Sequence, residues 1–122
     1  MNWTRSRLMR ALYTALRSPT VTIERAAFDP LSHSAQVLYE WHGRTLEARV
    51  RVDGAQDGQV TMALHELLHP HLDETLEQAG LDDELAEYAI AGIEAGLVAR
   101  LKRSPRAYAR WRTALTKKQE GA

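Results

Sequence analysis

Two histidines four residues apart constrain this chain more than any other feature. They stand in Val60–Leu72, V-T-M-A-L-H-E-L-L-H-P-H-L, as His65-Glu66-Leu67-Leu68-His69. On an α-helix, residues four apart lie one above the other, so both imidazoles face one point in space. Glu66 sits about 100° round the same helix, beside that point, where a general base for a water on a metal ion is needed. Val60, Leu64, Leu67 and Leu68 form an apolar arc that can face a core. An H-E-x-x-H pentad arising by chance would leave two idle surface histidines. The apolar neighbours argue for a helix with a ligand face and a buried back.

The rest of the chain must supply the core and a further ligand. Its 122 residues suffice for one domain, 1–122, with a modest core. No cysteine is present, so a disulfide framework and Cys-ligated zinc are both excluded. No apolar run reaches membrane-spanning length, and no membrane partner is expected. Residues 1–23 contain four arginines and no acid, a composition shared by transit peptides and amphipathic helices. Leu8, Leu12, Ala15 and Leu16 on one face favour the helix. Without an unbroken apolar segment a secretory signal is not expected, and the location is taken as cytoplasmic.

Net charge is zero, yet the charges are sorted. Residues 1–51 hold eight Lys/Arg and four acids, residues 52–99 hold no Lys/Arg and eleven acids, and residues 100–122 hold eight Lys/Arg and one acid. A negative middle favours a bound cation. It would equally suit a pair of acidic helices clamped by basic flanks.

In chain order, residues 4–17 read as a helix capped by Thr4 and ended by Ser18-Pro19. Thr20–Arg25 alternates as a strand, and Phe28-Asp29-Pro30 and Ser32-His33-Ser34 are turn material. Ala35–Trp41 and Arg44–Val52 flank a His42-Gly43 turn, a hairpin that pairs Tyr39 with Leu46, Val37 with Ala48 and Ala35 with Val50. Asp53–Gly58 forms a loop, with Asp57 as the cap of the motif helix. Pro70 should end or kink that helix near His69–Leu72. A short helix Asp73–Gly80 follows, then a longer one from the acids at 82–84 to about Arg103. Ser104-Pro105 opens a last helix to about Lys118, with Tyr108, Trp111 and Leu115 as its apolar stripe and residues 119–122 frayed.

Catalytic zinc takes three protein ligands and leaves a position for water. His71 points about 200° away from His69 on a continuing helix, which suits a structural role. Asp73 shares the histidine face only if the helix survives Pro70. His33 and His42 lie in turns. In the helix 82–103, Glu84, Glu87 and Glu94 border a stripe of Ala86, Ile90, Ile93, Leu97 and Leu101, where an acid is costly to bury unless paired or bound to metal. All three glutamates remain open on these grounds.

H-E-L-L-H after a β-hairpin, followed by a Glu-bearing helix, resembles the small zincin-type metallopeptidase domains. Short phage-encoded metallopeptidases look most similar, and the ImmA/IrrE family more distantly. The likeness spans residues 35–102. It implies an α+β minimal zincin-like fold: N-terminal helix, small antiparallel sheet, motif helix, ligand helix and closing helix. The family's zinc glutamate precedes an apolar residue at +3 and leucines at +10 and +14, which Glu87, Ile90, Leu97 and Leu101 match. The resemblance therefore implies Zn²⁺ on His65, His69 and Glu87, Glu66 as general base, and a peptide or protein substrate paired with an edge strand. Tyr88 or a hairpin residue would stabilise the oxyanion. Two other expectations stand beside it: a zincin-fold metal-binding module without efficient proteolysis, for which a short chain with little room for a cleft is the argument, and a nucleic-acid-associated protein using the basic terminal helices with Trp3 and Trp111.

Overall fold

The structure, a computed structural model, describes residues 3–26, 35–53 and 59–120. The chain is α+β, with four helices and a three-stranded sheet among the described residues. Helix α1 (Arg5–Arg17) begins where Thr4 Oγ1 accepts the Arg7 N–H at 3.1 Å, which satisfies one of the unpaired donors of a helix start. Leu8, Leu12, Ala15 and Leu16 bury its apolar face.

Strands β1 (Val21–Ala26), β2 (Ala35–His42) and β3 (Thr45–Asp53) lie in the order β1-β3-β2. The expected antiparallel sheet is corrected here: β2 pairs with β3 antiparallel, but β1 runs parallel to β3. The hairpin occupies one side of β3, and β1 takes the other in the same direction; alternation along a strand does not encode that direction. Leu46, Ala48, Val50 and Val52 of β3 are buried, as are Val21 and Ile23 of β1. On the opposite face Arg49 and Arg51 bind Glu24 at 2.8 and 3.5 Å.

The hairpin register also differs from expectation. Tyr39 faces Ala48, Val37 faces Val50 and Ala35 faces Val52, because the turn is Gly43-Arg44 and not His42-Gly43. Gly43 has φ +64° and Arg44 is not at positive φ, so glycine fills the first central position, as a type II′ turn requires. Moving the turn by one residue shifts the pairing by two. The side-chain faces are therefore preserved.

Helix α2 (Gln59–Gln78) continues through Pro70, so neither a break at His69–Leu72 nor a separate helix Asp73–Gly80 is found. An interior proline costs roughly 3 kcal/mol. Leu64, Leu67, Leu68 and Leu72 are all buried on both sides of it, each worth about 1.5–3 kcal/mol, and packing wins. Side chains also serve the backbone around Pro70. His71 Nδ1–H donates to the Leu67 carbonyl (2.8 Å), and Trp41 Nε1–H donates to the Pro70 carbonyl (3.0 Å). Gly80, at φ +83°, stops α2: the Leu81 and Gly80 amides bond the Leu76 and Glu77 carbonyls, the paired bonds of a Schellman end.

Helix α3 (Asp83–Lys102) is capped by Asp82, whose carboxylate accepts the Leu85 amide at 2.8 Å. Its Ile90, Leu97 and Leu101 are buried. Helix α4 (Pro105–Glu120) runs past Lys118 and includes Gln119 and Glu120; a bond from Lys118 Nζ to the Ser18 carbonyl ties this end to the end of α1. Helix α2 packs on α3, β2 and β3, while α4 packs on α1, α3 and β1. The turns expected around residues 28–34, and Asp57 as a cap, lie outside the described residues. No described helix is long and apolar enough to cross a membrane.

Nothing lies within 4 Å of a Cβ built on Gly43, so substitution there tests backbone strain alone. Gly43→Ala should lower unfolding stability by about 1–2 kcal/mol and Gly43→Asn by less, measured by urea denaturation.

Candidate metal centre

His65 and His69 project from one face of α2, and α3 packs alongside to bring Glu87 between them. Glu87 Oε2 lies 3.1 Å from His65 Nε2, and Oε1 lies 2.8 Å from His69 Nε2. One ligand atom from each of the three lies within 4.8 Å of the others. Tetrahedral zinc bonded at about 2.0–2.2 Å needs such atoms about 3.4 Å apart, so small adjustments of side chains would close this set on an ion. Two imidazoles and a carboxylate are a donor set that suits Zn²⁺ and other borderline divalent ions.

The other nitrogen of each ring is also held by a carboxylate. His65 Nδ1 lies 2.6 Å from Glu94 Oε1, and His69 Nδ1 lies 2.9 Å from Asp73 Oδ1. Tyr39 extends the second chain, its hydroxyl donating to Asp73 Oδ2 at 2.7 Å. A carboxylate on Nδ1 keeps the proton there and leaves the Nε2 lone pair for a ligand, the arrangement that orients metal-bound histidines. Sequence reasoning missed this role for both acids. Glu94 follows Glu87 by seven residues, two helical turns, which places both on one stripe. Asp73 follows His69 by four, a signal hidden by the expected break at Pro70.

His65 is pushed up to about 9, first by its hydrogen bond to Glu94; burial opposes this, and the charges of Glu87, Glu94 and Glu66 add to it. Burial, then the hydrogen bond to Asp73, raises Tyr39 above its ordinary range. Glu66 is nearly buried and lines the same groove as His65, His69 and Glu87. That groove is about 780 Å³ and runs between α2 and the edge strand β2, with Ala35 and Val37 on its strand side and Met62 on its helix side. The chain is short, but it does leave room for a cleft.

Other candidates lie elsewhere. His71 is wedged edge-on between Trp3 and Trp41, at 5.9 and 5.6 Å between ring centroids, and burial lowers its pKa. Glu84 is exposed in the first turn of α3 and does not line the groove. His42 bonds Glu47 at the hairpin end. Tyr88 is 69% exposed and outside the groove, whereas Tyr39 of the hairpin lines it. His33 lies outside the described residues.

No family model, curated protein or solved structure matches the chain.

Two measurements follow from this geometry. Asp73→Asn and Glu94→Gln should each weaken zinc binding about 10- to 100-fold, read by competition with a chromogenic chelator. In chelated protein, the raised His65 contributes stability that is fully present below its unfolded value of about 6.5 and lost as pH rises through about 9. Chemical denaturation across that window should show the loss, and Glu94→Gln should flatten it.

Proposed function

We propose that the protein is a zinc-dependent metallopeptidase of minimal zincin-like architecture. One observation carries the reading: the Nε2 atoms of His65 and His69 converge on Glu87 in the groove that also holds Glu66 and follows an open sheet edge. His65, His69 and Glu87 would hold the zinc. When bound, zinc supplies a Lewis acid that acidifies water and polarises a carbonyl.

The chain's own residues account for the remaining work. Glu66 accepts the proton of the attacking water and delivers it to the leaving amine, the role of a general base positioned beside the site. Glu94 and Asp73 keep the two imidazoles in one tautomer and orientation. Among the described residues strand β2 is bonded to β3 on one side only, so its other edge can pair with an extended peptide beside the site. Tyr39 stands on that strand and lines the groove; its hydroxyl donates to Asp73 and would serve a substrate oxygen only by exchanging that bond.

Purified protein prepared without chelator should contain about one zinc per chain. His65→Ala should lose the metal, and with it the stabilisation that a ligand of the folded state confers. Glu66→Gln should keep the zinc while hydrolysis of a peptide library falls about 100-fold or more. A wild type that binds zinc yet cleaves nothing would favour the metal-binding module, and equal cleavage by Glu66→Gln would remove the mechanism.

A further inference from the structure

Helices α1 and α4 lie side by side, and together they carry nine Lys/Arg and one acid, Glu120. Along their seam run two adjoining hollows, about 870 and 310 Å³, which share Tyr13 and Arg110. Arg10, Arg17, Arg110, Lys117 and Lys118 line them, and no acidic side chain does. Among the described residues none of Arg10, Arg17, Arg110 and Lys117 takes part in an ion pair. The acids that could have neutralised them are on α2 and α3, in the stretch without Lys or Arg. Their basic-flank clamp is therefore not made at this seam.

Tyr13 fixes the middle of the trough. Its ring packs on Trp111 at 5.5 Å between centroids and lies under the Arg17 guanidinium at 5.7 Å. Trp111 is itself buried, and Trp3 packs on His71 and does not line the seam. The seam's resources are guanidinium forks, a lysine ammonium, and the hydroxyl-bearing Thr14 and Thr113. These are the donors that phosphate oxygens take, without sequence preference.

We infer that this seam binds single-stranded nucleic acid through its phosphates. Repeated cations along a trough suit a polymer that carries one charge on every unit, and basic grooves of this kind track single strands. The inference does not depend on the peptidase reading, because the trough shares no lining residue with the metal groove.

The test uses the full chain with chelator present and a fluorescent oligothymidylate of about 15 nucleotides, within the range such grooves occupy. Four free cations predict a slope of log affinity on log salt near −2.8, hence about 50-fold weaker binding between 50 and 200 mM salt. Arg110→Gln/Lys117→Gln should reduce that slope by about 1.4 and weaken binding at least about tenfold at low salt, with an unchanged melting temperature. Lys102→Gln/Arg103→Gln, at the end of α3, should leave binding unaltered. Absence of binding at 50 mM salt overturns the inference, as does equal weakening by both double variants. Displacement by polyglutamate as readily as by unlabelled oligonucleotide would assign the seam to acidic peptide instead.

Discussion

An unbroken α2 is the condition on which the site depends. His65, His69 and Asp73 stand at successive steps of four on its surface, so they share a stripe only if the helix crosses Pro70 without turning aside. Buried leucines on both sides of the proline keep it continuous, and two aromatic residues of the hairpin bond to it near the proline. Trp41 takes the Pro70 carbonyl, and Tyr39 takes Asp73. The hairpin therefore does two things at once: it supplies donors where proline has disturbed the helix, and it walls the groove opposite the histidines. A change in the hairpin register would reach His69 through Tyr39 and Asp73.

Much of this was legible in the sequence. The spacing of His65 and His69 on one helix face, the Thr4 cap, the acids at the start of α3 and the alternation in β3 all rest on local rules, and the structure follows them. Two kinds of information were not local. Pro70 carries a strong helix-breaking propensity, and only the packing of Leu64, Leu67, Leu68 and Leu72 against other elements overrules it. The hairpin turn has two placements differing by one residue, both of which keep the same face buried. The choice falls to Gly43, which the structure puts at the first central position. Likewise, β1 takes the edge of β3 that the hairpin leaves open, and its parallel direction is not encoded in its alternation.

The same distinction explains the metal-centre residues. A motif names ligands by spacing along one helix, whereas orienting groups arrive by packing between helices. Glu87 and Glu94 share a stripe of α3, and the crossing of α3 over α2 places one at the Nε2 side of the histidines and the other at Nδ1 of His65. The asymmetry fits their exposure: Glu94 has 18% of its side chain exposed and Glu87 55%. An acid enclosed beside one imidazole serves that ring, while an acid at the open groove reaches both.

Charge sorting links the two ends of the molecule. Gathering eleven acids in residues 52–99 raises the potential energy of that segment, and a divalent cation between His65, His69 and Glu87 would relieve part of it. The basic helices face the complementary problem at the α1–α4 seam, where five cations line one trough without an acid among them. Intramolecular pairing would have solved both problems together, but the acids of α2 and α3 at the groove are spent on histidines and Tyr39 instead. On the proposed readings each pole would take its counter-charge from outside the chain, one as a small cation and the other as an anion. Because like charges repel more weakly in salt, metal-free protein at low ionic strength is the state in which both poles act most strongly against the fold.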